Sequence, residues 1–297
     1  MRQTTFLAAL VLGAAVGLAG CGGGEHVPDS GNAEGFWTTS GSNPATQMVI
    51  LSDRSLWGIY GANPTLTGIQ GMMRGSADNY KGECLSWSSY YDSYNDTWDD
   101  ECDDWIQYPS ASGSFNQFDM TGNALPMVSW NFSGSATEAQ ALSFSLTDPK
   151  TKADSGTALS MLYDHRYDAA ATVATVAGTY AGWTAFSGQA RHNLAGINIF
   201  GSTLTLPADD AGCSATGTLA PHKGHASSTG SSSSKTVVGI LDVQLTFNGA
   251  SCALGNGRTL QGIVIPPSST VNGAAQLQIV TATGDKKNGF MLVANRQ

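Results

Sequence analysis

The chain has 297 residues, of which 36 are Gly, 12% are charged and 41% are hydrophobic; such a composition excludes a helical bundle and global disorder and favours short strands joined by turns. The formal charge of −9 is unevenly placed: 16 Asp and Glu face four Lys and Arg from Cys21 to Lys150, against seven acids and nine bases from Thr151 to Gln297. A first half this acidic repels nucleic acid and anionic headgroups.

The chain opens with Arg2, an apolar run from Phe6 to Val16, and small residues ahead of Cys21. The run is too short to stay in a bilayer and reads as a cleaved export signal. Leu18-Ala19-Gly20-Cys21 resembles the lipobox of bacterial lipoproteins. That resemblance implies loss of residues 1–20 as a signal peptide, diacylglycerol on the Cys21 sulfur, and acylation of the new amino terminus with a fatty acid such as palmitate. Gly22 stands where many lipoproteins retained at the inner membrane carry Asp, so the resemblance points to a lipid anchor in the bacterial outer membrane; it leaves the periplasmic or surface face open. Residues 21–34, rich in Gly, read as a flexible tether with a reach of roughly 20 Å.

Residues 35–150 read as an acidic β module. Gly35-Phe36-Trp37 opens it, Gln47–Leu51 and Leu56–Tyr60 are β-rich runs separated by a polar turn, and strands are predicted at Leu66–Met73, Ser112–Gly122, Met127–Gly134 and Ala141–Thr147. Residues 151–177 read as a linker with a short helix, Asp168 placed to N-cap the run Ala169–Ala177 and Gly178 at its end. Residues 178–297 form a second β module. It restarts with Gly178-Thr179-Tyr180-Ala181-Gly182-Trp183 much as the first began, and Val243–Phe247 alternates apolar and polar. The fold class expected is mainly β: two small antiparallel β-barrels or sandwiches joined by a short helical linker. GTYAGW, GCSATGTLAP, VQLTFNGASCALGNGRTLQGI and NGFMLV resemble uncharacterised proteobacterial lipoproteins built from lipocalin-like β modules. The resemblance spans about residues 178–297 and implies architecture alone.

Four cysteines remain besides Cys21. In an exported chain an even number favours disulfides. Of three pairings, Cys84–Cys102 with Cys213–Cys252 is expected, because each pair falls within one half.

Cys84–Trp105 is the most unusual stretch, setting Trp87, Tyr91, Tyr94 and Trp98 among Asp99, Asp100, Asp103 and Asp104, with no Lys or Arg between Gly82 and Pro149. Crowded carboxylates need hydration, distant bases or a cation. Calcium suits them, although no EF-hand spacing is present. Aromatic faces beside carboxylates also suit a sugar or a basic protein. The alternative is a solvated, disulfide-closed loop whose rings pack onto a barrel. His222 and His225 have a metal-compatible separation but border a serine-rich run and read as a solvated loop pair; His165 near Asp164 and His192 next to Arg191 offer acid–base groups, a role that lone histidines near strand ends usually do not take. No hydrolase elbow, zinc-protease helix or phosphate loop occurs, so no residue is given a catalytic role. The function expected is a lipid-anchored binding or scaffolding module, the rivals being an envelope hydrolase and a structural spacer.

Overall fold

A sheet of short strands carries two unpaired edges unless it closes on itself, and both halves of this chain close. The computed structural model describes residues 33–40, 45–61, 68–92, 97–122, 127–225, 236–267 and 276–297, with backbone alone at 78–88, 90, 92 and 97–110. Strands β1 (Gly35–Thr39), β2 (Thr46–Ile50), β3 (Ser55–Gly61), β4 (Ile69–Asp92), β5 (Thr97–Asp119), β6 (Val128–Thr137), β7 (Ala141–Thr147) and β8 (Asp154–Tyr163) run antiparallel around one barrel in chain order. β1 closes it by pairing with β8, Trp37 opposite Tyr163. Strands β9 (Gly178–Phe186), β10 (His192–Phe200), β11 (Thr203–Leu206), β12 (Ser214–Gly224), β13 (Thr236–Asn248), β14 (Thr259–Ile265), β15 (Gln276–Ala282) and β16 (Gly289–Arg296) repeat the plan, with β16 returning to β9. The two expected antiparallel modules are barrels.

Between them the expected helix is nearly absent. A 3-10 turn spans His165–Tyr167, with Asp164 accepting from the Arg166 amide, and Asp168 ends this turn where an N-cap had been expected. A single α-turn, α1 (Val173–Val176), follows without a side-chain cap. The alanines are pulled out of helix by strand contacts: the Ala171 amide donates to the Val238 carbonyl on β13. β8 also lies in the stretch expected to be linker. It opens with the polar and glycine residues Asp154, Ser155 and Gly156 and is mostly exposed, and pairing with β7 and β1 supplies what local propensity does not.

The sequence repeat at the two openings is a structural one. Gly35 and Gly178 both have φ near +150° (150° and 145°), a value that L side chains rarely adopt. Two residues later, Trp37 and Tyr180 are each fully buried inside a barrel. Each donates to a carbonyl four residues upstream, Trp37 Nε1 to Ala33 at 2.8 Å and the Tyr180 hydroxyl to Val176 at 2.7 Å. The end of the last strand covers each ring: Tyr163 meets Trp37 edge-on at 5.3 Å, and the Arg296 guanidinium lies over Tyr180 at 5.5 Å. Both barrels are therefore plugged by the strand that opens them.

Both interiors are packed with side chains. Phe115, Phe132 and Phe144 meet inside the first barrel, and Phe186, Phe247 and Phe290 inside the second, where all three centroid distances are 4.9 to 5.1 Å. The space beside that second trio is about 10 Å³, room for a single water at most. The expected Cys213–Cys252 disulfide closes this end, with Cα atoms 4.7 Å apart.

A third apolar cluster lies between the barrels. Phe36, Val49, Leu51, Trp57, Ile59 and Met72 on the outside of the first pack with Val238, Ile240, Ile263, Ile265, Val280, Met291 and Val293 on the outside of the second. On these strands alternate residues point into a barrel and into the shared layer, as with Met48 and Ile50 inward against Val49 and Leu51 outward. Both faces are buried, which explains the continuous runs in QMVIL, LWGIY and GFMLVA where a solvated sheet would alternate. Ile263→Ala should therefore cost about 2 to 5 kcal/mol although the residue lies on a barrel exterior, while Thr216→Ala on the solvated outer face of β12 should change stability by less than about 0.5 kcal/mol. Urea unfolding of the two variants checks this; equal small effects would mean that the barrels do not stabilise one another.

Candidate functional site

The acidic aromatic stretch is strand on both sides of residues 93–96. β4 and β5 are among the longest strands, and they pair with each other from Gly71↔Asp119 out to Asp92↔Thr97. β4 last meets β3 at Ser76, and β5 first meets β6 at Ser110. Beyond those points the two strands pair, among the described residues, only with each other, a two-stranded arm of about 40 Å at the usual rise per residue. Its register sets Tyr91 opposite Trp98, Asp100 opposite Ser89, Asp99 opposite Tyr90, Asp104 opposite Ser86, Cys102 opposite Trp87 and Cys84 opposite Trp105, with three register shifts. At positions 87, 91, 98 and 105 the backbone is paired strand. Asp, Ser and Asn are poor in helices, and continuation of two barrel strands gives the backbone its hydrogen bonds. The Tyr91 ring is half-exposed, at 48%. Tyr94, the Cys84–Cys102 bridge and the side chains of Trp87, Trp98, Asp99, Asp100, Asp103 and Asp104 lie outside the described residues.

At the root of this arm the barrels enclose a cleft of about 660 Å³. The first barrel contributes the β2–β3 turn with Asp53, and Arg74, which stacks 4.1 Å over Trp57 and donates to the carbonyls of Leu56 (3.2 Å) and Gly75. The second barrel contributes the outer face of β12 to β14, where Gln244 stands opposite Gln261 and Thr218, Asp242 and Thr259 flank them. Burial alone would push the Asp53 carboxyl up, but hydrogen bonds from Ser55, with His222 and Arg74 nearby, hold it below the ordinary carboxylate range. Asp53 thus stays ionised between a cation of its own barrel and an imidazole of the other.

His222 and His225 are not a solvated pair. His222 Nδ1 lies 2.8 Å from Asp242, its side chain is only 12% exposed, and its Nε2 is buried without a hydrogen-bond partner among the described residues. His225 points elsewhere, its Nδ1 2.8 Å from Glu34. Sequence reading missed both because their partners are 20 and 191 residues away; the available signal was position, since His222 belongs to a long strand and not to the serine run.

Glu34 is a node in its own right. Its carboxylate is almost fully buried and accepts from the Tyr167 hydroxyl at 2.7 Å and from the His225 amide at 2.7 Å. A side chain at Gly224 would collide with this carboxylate and with Tyr167, and one at Gly239 with the Arg166 carbonyl. The node therefore ties the first described residues, the linker turn and the second barrel together. Burial first, and the adjacent Glu34 charge second, push the Tyr167 phenol far above its ordinary range.

His165 bonds Asp168 at 3.0 Å, and His192 bonds Asp210 at 2.5 Å. His192, Asp209 and Asp210 each offer a ligand atom within 4.8 Å of the others. Asp209, however, already accepts from the amides of Ala211 and Cys213, which makes it the cap of the turn before the disulfide. No protein-family model and no curated protein matches the chain.

A test of the Glu34 node follows from the sign of the Tyr167 shift. The fold favours the neutral phenol, so its contribution is complete below about pH 10 and is lost as pH rises above that value. Tyr167→Phe should cost about 1 to 2 kcal/mol at pH 7 and decline less steeply than wild type above pH 10. Urea unfolding across that range measures it; parallel declines would detach Tyr167 from alkaline stability.

Proposed function

We propose that this chain is a lipid-anchored protein of the bacterial outer membrane that binds or scaffolds other envelope components, and that its β4–β5 arm is the element offered to a basic protein partner. The observation behind this is the length of arm beyond the last barrel pairing at Ser76 and Ser110. The outer edges of the two strands pair with no other strand among the described residues, and recognition by strand addition uses such edges. The charge of the arm selects among partners: Asp92, Asp96, Asp99, Asp100, Glu101, Asp103 and Asp104 lie close together without a base, so a basic strand is attracted and an acidic one repelled. The same acids discourage self-association. Two filled, mutually braced barrels form a rigid base from which to hold such an arm.

Replacing residues 80–110 with Asn-Gly puts a two-residue turn between the paired positions Asn79 and Ala111. Thermal unfolding of the paired barrels should then change little, while binding to a cationic probe such as cytochrome c should be lost. Full-length binding should weaken as salt shortens the screening length from roughly 10 Å at 0.1 M to roughly 3 Å at 1 M. Asn at 99, 100, 103 and 104 should weaken it more than Trp98→Ala. Equal binding by the shortened chain would overturn the role of the arm, and absence of binding by the full chain would leave the structural spacer.

The anchor is tested separately. Cys21→Ser should release the protein from the membrane fraction, since acyl chains contribute about 0.8 kcal/mol per buried methylene. A wild type without lipid by mass spectrometry, with the variant still membrane-bound, would end that reading.

A further inference from the structure

The cleft at the arm root has the size and the lining of a small-molecule site. Its volume of about 660 Å³ lies in the ordinary range for such sites, and it is built by two barrels that a shared apolar layer holds rigidly together. We propose that it binds a neutral carbohydrate of one or two rings.

Three observations choose the ligand class. On the floor, Gln244 and Gln261 face each other in register on adjacent strands, with Thr218 and Thr259 beside them. These amides and hydroxyls offer donors and acceptors at close spacing on a rigid sheet, the pattern that adjacent sugar hydroxyls complete. Across the cleft stand the carboxylate of Asp53 and the guanidinium of Arg74, with Asp242 on the floor fixed by His222. A hydroxyl donates to a carboxylate and accepts from an amide or guanidinium, so one class of group satisfies the whole lining. A simple amine would leave Arg74 and the amide donors unanswered and be repelled by the guanidinium; a simple anion would meet two carboxylates. The third observation is access: Thr218, Gln244, Thr259 and Gln261 are all exposed within the cleft, so their polar groups are open to a ligand. His222, whose Nε2 has no hydrogen-bond partner among the described residues, also lines the cleft; its imidazole is held toward Asp242 and orients that carboxylate.

This site is independent of the arm, and the test keeps them apart. The full chain carrying Cys21→Ser, free of detergent, is examined by saturation-transfer NMR and calorimetry with glucose, N-acetylglucosamine, maltose and cellobiose, and with putrescine as a cationic control. At least one sugar should receive saturation and bind at millimolar concentration. Gln261→Ala and Asp53→Asn, both at exposed positions, should each weaken it roughly tenfold, as expected when one or two hydrogen bonds are lost. Thr259→Val should act in the same direction, and thermal unfolding of all three should match the parent. The chain with residues 80–110 replaced should bind the sugar unchanged. Absence of transfer from all four sugars, tighter binding of putrescine, or parental affinity in both Gln261→Ala and Asp53→Asn would overturn the proposal.

Discussion

The apolar layer between the barrels is the constraint on which the rest depends. A small eight-stranded barrel buries one face of each strand and leaves the other to water, which gives alternating sequence. Here segments of β1 to β4 and of β13 to β16 bury both faces, among them residues 46–50, 238–241, 262–265 and 277–282, and their outward residues include Val, Ile, Met, Phe and Trp. With each large residue contributing roughly 1.5 to 3 kcal/mol when fully buried, this layer is comparable to a barrel interior. Neither barrel has a solvated exterior to present on that side. Binding surfaces are therefore confined to the margins of the layer and to whatever projects beyond it.

The cation–π pairs lie at those margins. Arg74 over Trp57 and Arg191 over Trp183 each cover an outward-facing indole with a guanidinium that also donates to backbone carbonyls; for Arg191 these are Met120 and Ile69 of the opposite barrel. Burial lowers the pKa of both guanidinium groups without removing their charge. An apolar layer fringed in this way has fixed edges, and the cleft opens where the edge at Arg74 leaves the outer face of β12 to β14 uncovered.

Much of this architecture was legible in the chain. The two glycine-aromatic openings signalled a repeat, and Gly35 with Trp37 and Gly178 with Tyr180 give it physical content. The continuous runs QMVIL and GFMLVA pointed to strands but not to the layer, because a run buried on both faces looks the same whether its second neighbour is a helix, a sheet or another barrel. β8 was hidden because DSGTALSMLY is mostly solvent-exposed and owes its form to β7 and β1. The arm was conspicuous by composition and opaque by shape: its acids and serines favour neither helix nor strand, and only continuity with paired barrel strands decides. The cleft was invisible, since Asp53, Arg74, His222 and Asp242 meet only after both barrels have formed and docked.

One end of the first barrel gathers nearly everything with a functional reading. Gly35 pairs with Ile50, Ile50 with Leu56 and Leu56 with Gly75, so Glu34, the β2–β3 turn and the root of the arm share that end. The Ala77 amide donates to the Arg54 carbonyl just where the arm departs, and Asp53 and Arg74 bring the cleft to the same place. Glu34 is the last residue of the stretch read as a flexible tether, but Ala33 and Glu34 are buried and Tyr167 and His225 lock Glu34 to the linker turn and the second barrel, so the fixed structure reaches back into that stretch. A tether reaching roughly 20 Å would, under the proposed lipid anchoring, hold this end nearer the anchor than the other end. In the proposed lipid-anchored arrangement the arm and the cleft both face the membrane-proximal space, so that a basic partner and a carbohydrate would be met in the same layer of the envelope.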